Sequence, residues 1–225
     1  MTFSIVARCR ATGMIGVAVC SSSPAVAARC AFARAGVGAV TSQNVTDPAL
    51  GPMLLNAMAA GQDAEQAVRA LVASQPNMAY RQMIAVDAQG RSAAFSGAGA
   101  LGVHATAQAE GAAAAGNLLA TPGVPAAMVA AFQASDGDPL GRRLIGAMRA
   151  AMDAGGEAGP VHSIGLKIVD KLTWPLIDLR VDWAETDVVE RLQALFDLYA
   201  PQANDYVTRA LDPGHAAGFG VPGDP

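Results

Sequence analysis

The sequence predicts an α+β fold in which two antiparallel sheets lie face to face, each covered on its outer side by helices. Three observations carry this. Short alternating stretches come in pairs around turn residues, so they read as hairpins. Pairs of helical stretches follow the hairpins. That rhythm rules against a doubly wound parallel sheet, where single strands and helices alternate. Finally, 52% of the residues are hydrophobic, much of it alanine, yet no stretch approaches the roughly 20 apolar residues of a spanning helix. The apolar surface therefore belongs to internal layers, tight helix packing or a subunit interface, and a homo-oligomer is expected.

Thr2–Arg8 alternates and is partly β-branched, a strand. Ala11-Thr12-Gly13 is a turn, and Met14–Cys20 completes the hairpin. Gly36–Ser42 is a third strand. Pro48–Ala60 is a helix closed by Gly61, and Ala64–Ser74 is a helix capped by Asp63. Arg81–Asp87 and Arg91–Phe95 form a hairpin, and Gly102–Gln108 and Gly111–Gly116 fit strands. Pro125–Ala134 and Pro139–Ala154 are helices, the second capped by Asp138 and ended by Gly155-Gly156. Ser163–Val169 and Leu176–Val181 make the last hairpin, and Thr186–Tyr199 and Gln202–Leu211 the closing helices. The reading is one domain over 1–213 with an irregular Gly/Pro-rich tail over 214–225.

A net charge of −4 with 15 scattered Lys and Arg gives no basic face for nucleic acid. Cys9, Cys20 and Cys30, at spacings that match no zinc pattern, read as reduced thiols of a cytoplasmic protein. The apolar run after Arg8 and Arg10 is too short and glycine-broken for a signal peptide. GAGALG at Gly97–Gly102 spells G-x-G-x-x-G, but a hairpin precedes it and no acid follows at the required distance, so its glycines read as a loop. VHSIG at Val161–Gly165 lacks the first glycine of a nucleophile elbow.

The chemistry concentrates at the N-terminus. Removal of Met1 before a small residue leaves Thr2 with a hydroxyl and a free α-amine. Such an amine titrates near ~7.7–8.0, against ~10.4 for lysine, so roughly 10–15% of it is neutral at pH 7. It is a usable general base beside its own hydroxyl. Asn117, after Gly116 in GNLL, is the amide expected to donate to an oxyanion, with backbone amides near Gly116. Ser42, Gln43 and Asn44 after the third strand, with Arg81, are expected to orient a polar or anionic substrate, Arg81 by a bidentate carboxylate contact. A rival reading makes Cys9 or Cys20 the nucleophile.

TFSIVAR (Thr2–Arg8), GVAV (Gly16–Val19), AGVGAVTSQ (Ala35–Gln43), RQ (Arg81–Gln82), GNLLA (Gly116–Ala120), DLRVD (Asp178–Asp182) and RALDP (Arg209–Pro213) occur in an order that resembles the domain-of-unknown-function 1028 family, placed among Ntn-hydrolase-like proteins. The resemblance spans roughly residues 2–213. It implies a four-layer αββα sandwich and an N-terminal-nucleophile amidohydrolase with Thr2 as nucleophile, needing no metal or organic cofactor. The implied substrate is a small-molecule or peptide-like amide. The chain departs from the family's usual pattern at Cys9, at SSSP (Ser21–Pro24) and at EAGPVHS (Glu157–Ser163). The alternative function is a non-catalytic small-molecule binding or scaffold protein on the same fold.

Overall fold

The computed structural model describes residues 1–218 together with 220 and 221. Its strands are β1 (Thr2–Arg8), β2 (Ile15–Ser21), β3 (Ala31–Arg34), β4 (Gly38–Asn44), β5 (Arg81–Asp87), β6 (Ser92–Ser96), β7 (Ala105–Ala109), β8 (Ala112–Asn117), β9 (Ser163–Val169) and β10 (Ile177–Val181). Its helices are α1 (Ala27–Cys30), α2 (Leu50–Ala59), α3 (Ala64–Ser74), α4 (Val124–Ala134), α5 (Leu140–Asp153), α6 (Val188–Tyr199) and α7 (Ala203–Leu211).

The strands form a six-stranded sheet in the order β10-β9-β2-β1-β8-β7 and a four-stranded sheet in the order β3-β4-β5-β6. Every neighbouring pair is antiparallel. Period-2 alternation assigns each strand's side chains to two layers. Phe3, Ile5, Ala18, Leu166 and Ile168 pack outward against Phe132, Leu144, Met148 and Leu192 of α4, α5 and α6. On the other sheet, Val40, Met83 and Ala85 pack outward against Leu54, Met58, Val68 and Leu71 of α2 and α3. Between the sheets lie Val6, Val17, Val19, Ala39, Ile84, Val86, Ala113 and Ala115. This is the expected αββα sandwich.

Local chemistry explains the element ends. The Asp63 side chain accepts from Gln66 N (2.8 Å) and Gln66 Oε1 accepts from Asp63 N (3.1 Å), a reciprocal capping box at α3. Gly61 closes the helix before it, with φ +99, donating to Met58 O while Gln62 N reaches Ala57 O. Gly155 (φ +108) and Gly156 (φ +57) repeat that geometry after α5, through Gly155 N to Met152 O and Gly156 N to Ala151 O. The turn then runs against residues 118–120, through Ala120 N to Gly156 O (3.0 Å) and Ala158 N to Leu118 O (2.9 Å). It delivers Glu157 to the end of β8.

Several expectations need correction. The third predicted strand sits two residues later, as β4, because α1 and β3 precede it. Neither was visible in SSSPAVAARCAFAR, whose alanines carry no period. The strand expected over Gly102–Gln108 begins only at Ala105. Gly102 (φ +59) instead turns the chain over Leu118. Asp138 does not cap α5, which starts behind Pro139 with no side-chain cap. Residues 213–215 form a single 3-10 turn. The expected irregular tail lies outside the described residues at 219 and 222–225.

Candidate functional site

Alternation along β1 sends Thr2, Ser4 and Val6 into the space between the sheets. Register then sets Thr2's neighbours. Thr2 stands opposite Asn117 on β8, and Phe3 pairs with Cys20 on β2, so the following residue, Ser21, flanks Thr2 on the other side. The Thr2 hydroxyl lies 3.3 Å from Ser21 Oγ. Ser21 Oγ is in turn 2.9 Å from Ser23 Oγ, which accepts from Arg29 Nη2 at 2.8 Å. Both the Thr2 and the Ser21 hydroxyls donate to the carbonyl oxygen of Met1. Under Met1, Thr2 is only 6% exposed.

Beyond Thr2 a chain of buried amides crosses from sheet to sheet. Ser4 Oγ donates to Gln43 Oε1 (2.6 Å), and Gln43 Nε2 donates to Gln82 Oε1 (2.8 Å). Asn117 Nδ2 donates to that same oxygen (3.1 Å). Gln82 Nε2 donates to Ser96 Oγ (2.8 Å) and to the backbone carbonyl of Gly116 (3.0 Å). A carbonyl only accepts, so Gly116 fixes which end of Gln82 faces it and thereby orients the whole chain. The result leaves Asn117 Oδ1 buried with no partner, on the residue directly across from Thr2. An unpaired buried acceptor costs about 1–3 kcal/mol. A Cβ at Gly116 would stand 2.6 Å from a methyl of the buried Leu119, which would have to shift to admit it.

Glu157 is the residue that sequence reasoning missed. It is 4% exposed, and both carboxylate oxygens accept from Ser22 N–H, at 3.1 and 3.2 Å. Burial pushes its carboxyl up to about 7, against the opposing pull of the N-terminal ammonium, Ser22 and His162. The only signal in the sequence was its place in EAGPVHS, one of the segments departing from the family pattern. SSSP is another, and the Glu157–Ser22 contact joins the two.

The structure brings Thr2, Gln43, Gly116 and Asn117 together but separates the other residues expected with them. Ser42, Asn44 and Arg81, expected to orient substrate, alternate onto the opposite face of the four-stranded sheet from Gln43 and Gln82. Ser42 Oγ donates to Asp47 O (2.9 Å), and Asn44 Nδ2 to Tyr80 O (2.7 Å). Arg81 donates to Val45 O and stands 4.0 Å from the Asp47 carboxylate. All three brace a loop. Cys9 and Cys20 face the helix-side core, away from Thr2, and burial, then the Glu157 charge, push the Cys20 thiol well up. The loop glycines also have a packing reason, since a Cβ at Gly97 would stand 2.3 Å from the carbonyls of Met78 and Ala79.

Comparison with known proteins agrees with the fold. The model of a family of unknown function, DUF1028, matches residues 2–192. The crystal structure of a DUF1028 protein from Silicibacter pomeroyi is similar with a TM-score of 0.82 at 29% identity, over 88% of this chain and 89% of that one. Anbu, an ancestral β-subunit from Yersinia bercovieri, is more distant, with a TM-score of 0.40 at 9% identity over 88% of this chain and 96% of its own. No curated protein matches.

Proposed function

The chain belongs to DUF1028, a family of unknown function, and on the geometry at Thr2 we propose that it is an N-terminal-nucleophile amidohydrolase, active once Met1 is removed and acting on a small or peptide-like amide. The observation that supports this most is the placement of Thr2. It is the first strand residue, faces the space between the sheets, and has a hydroxyl and an amide directly beside it on the two neighbouring strands.

In this reading Thr2 Oγ attacks the amide carbon of the substrate while its proton passes to the Thr2 α-amine. A C–O bond forms and the carbonyl oxygen becomes an oxyanion. Asn117 Nδ2 keeps one hydrogen after donating to Gln82 and supplies it to that oxyanion, and the Gly116 carbonyl holds the amide chain in register for it. The C–N bond then breaks and the ammonium returns its proton to the leaving amine. Water, deprotonated by the same amine, then attacks the acyl ester; the bond to Thr2 Oγ breaks, Oγ takes the proton back from the ammonium, and the carboxylic acid leaves. Asn117 Oδ1 is the acceptor that the liberated amine would meet across the strand pair.

The seat of Met1 favours a second reading where that residue stays. With the Met1 carbonyl held by both hydroxyls, the protein is a non-catalytic binding or scaffold protein. One experiment separates the two. Intact-mass spectrometry of untagged protein, before and after exposure to a β-lactone, is expected to show loss of Met1 and one added lactone per chain. Thr2→Ala should take up none. Retention of Met1 in every preparation would sink the enzymatic reading.

A further inference from the structure

At the far end of β1, six residues and about 20 Å from Thr2, a cavity of about 140 Å³ is lined by Arg8, Arg10, Arg143, Glu110, Asp136 and the turn at Gly90. Water fills roughly 30 Å³ per molecule, so the space suits one compact group of a few heavy atoms.

Arg143 lies deepest, 4% exposed, with its guanidinium 3.9 Å above the Phe132 ring. It donates to Phe132 O (3.0 Å) and pairs with Asp136 (3.3 Å), leaving its Nε buried without a partner. Arg10 reaches the same Asp136 at 3.9 Å. Arg8 differs from both. Its Nε is likewise buried and unpartnered, and among the described residues no carboxylate pairs with it. Three guanidiniums against two carboxylates leave the cavity one positive charge in excess. An unpaired buried donor on a cation is costly unless an acceptor arrives. The rigid fork of arginine favours a planar or tetrahedral oxyanion as that acceptor.

We propose that this cavity is a binding site for a compact oxyanion, the carboxylate or phosphate group of a small metabolite, held chiefly by Arg8 and Arg143. It is independent of the chemistry at Thr2. Arg8 closes it from one side, its Cδ set beside the turn at Gly90, and the Phe132 ring backs Arg143 from the other.

Isothermal titration of the full-length protein with inorganic phosphate, and separately with acetate, at constant ionic strength in chloride, tests this. Saturable binding at one site per chain is expected for at least one of the two, and the tighter names the ligand class. Arg8→Gln should weaken it by about tenfold or more, as expected for a lost charge-assisted pair. Arg8→Lys should fall between, and the exposed Arg10→Gln, which has no packing to disturb, should weaken it about threefold. Neither anion exceeding chloride, or Arg8→Gln and Arg10→Gln both titrating like the wild type, would overturn the proposal.

Discussion

The space between the two sheets has two halves built from the same strands. Toward the middle and far end of β1 it is filled by Val6, Val17, Ile84, Val86, Ala113 and Ala115. Toward the start of β1 the same alternating positions carry Thr2, Ser4, Ser21, Thr41, Gln43, Gln82 and Asn117, all buried. Apolar residues at all these positions would close the gap with no desolvation cost. The polar half instead needs an amide chain satisfied link by link, and it still leaves Asn117 Oδ1 open. Stability alone gives no reason for that layer, so the contrast separates the half that holds the sheets together from the half where the proposed chemistry would sit.

Substitutions can break or sharpen the contrast. The largest expected effect is on activity. Thr2→Ala should lower amide hydrolysis, or β-lactone uptake, by at least about 1,000-fold, equivalent to ~4 kcal/mol, while thermal melting stays unchanged. A melting point that fell with the activity would mean Thr2 is structural. Next is Gln82→Met, which leaves Gln43 Nε2 and Asn117 Nδ2 without their shared acceptor and should cost about 3 kcal/mol in denaturant unfolding. A neutral result would show that the amide chain is dispensable.

The third prediction is a pH dependence. Between its ordinary value of 4.5 and about 7, Glu157 keeps a proton in the folded state that the unfolded chain has released. Stability should therefore fall as pH rises through that window and level off above it, by roughly 3 kcal/mol in all. Glu157→Gln should remove that slope and be the more stable protein at pH 8, as read from urea midpoints at pH 5 and pH 8. The smallest effect belongs to the apolar half. Ile84→Val should cost about 1 kcal/mol and leave Thr2 reactivity untouched.

The alternating strands were legible because each has one face toward the opposing sheet and one toward helices. Thr2–Arg8, Arg81–Asp87 and Ser163–Val169 stand where the sequence put them. Pairing was not legible. Nothing local to Val17 or Lys167 says that β2 lies beside β9, since that contact is made across nearly 150 residues of chain. The site split along the same line. Thr2 and Asn117, singled out by residue type, stand opposite each other, whereas Ser42 and Asn44, grouped with Gln43, lie on the other face because neighbouring strand residues face opposite ways. Glu157 stayed hidden because the group its carboxylate meets, the Ser22 N–H, stands 135 residues away along the chain.

The carbonyl of Met1, gripped by the Thr2 and Ser21 hydroxyls, has a practical consequence. Under the proposed mechanism the unprocessed chain is a latent form, acylated at the Thr2 nitrogen, whose lone pair is withdrawn into an amide and takes up no proton. Specific activity should then track the processed fraction of each batch rather than total protein. A fusion partner placed ahead of Met1 would lock every molecule in the latent form, so inactivity of a tagged sample would report on its leader peptide and not on its catalytic capacity.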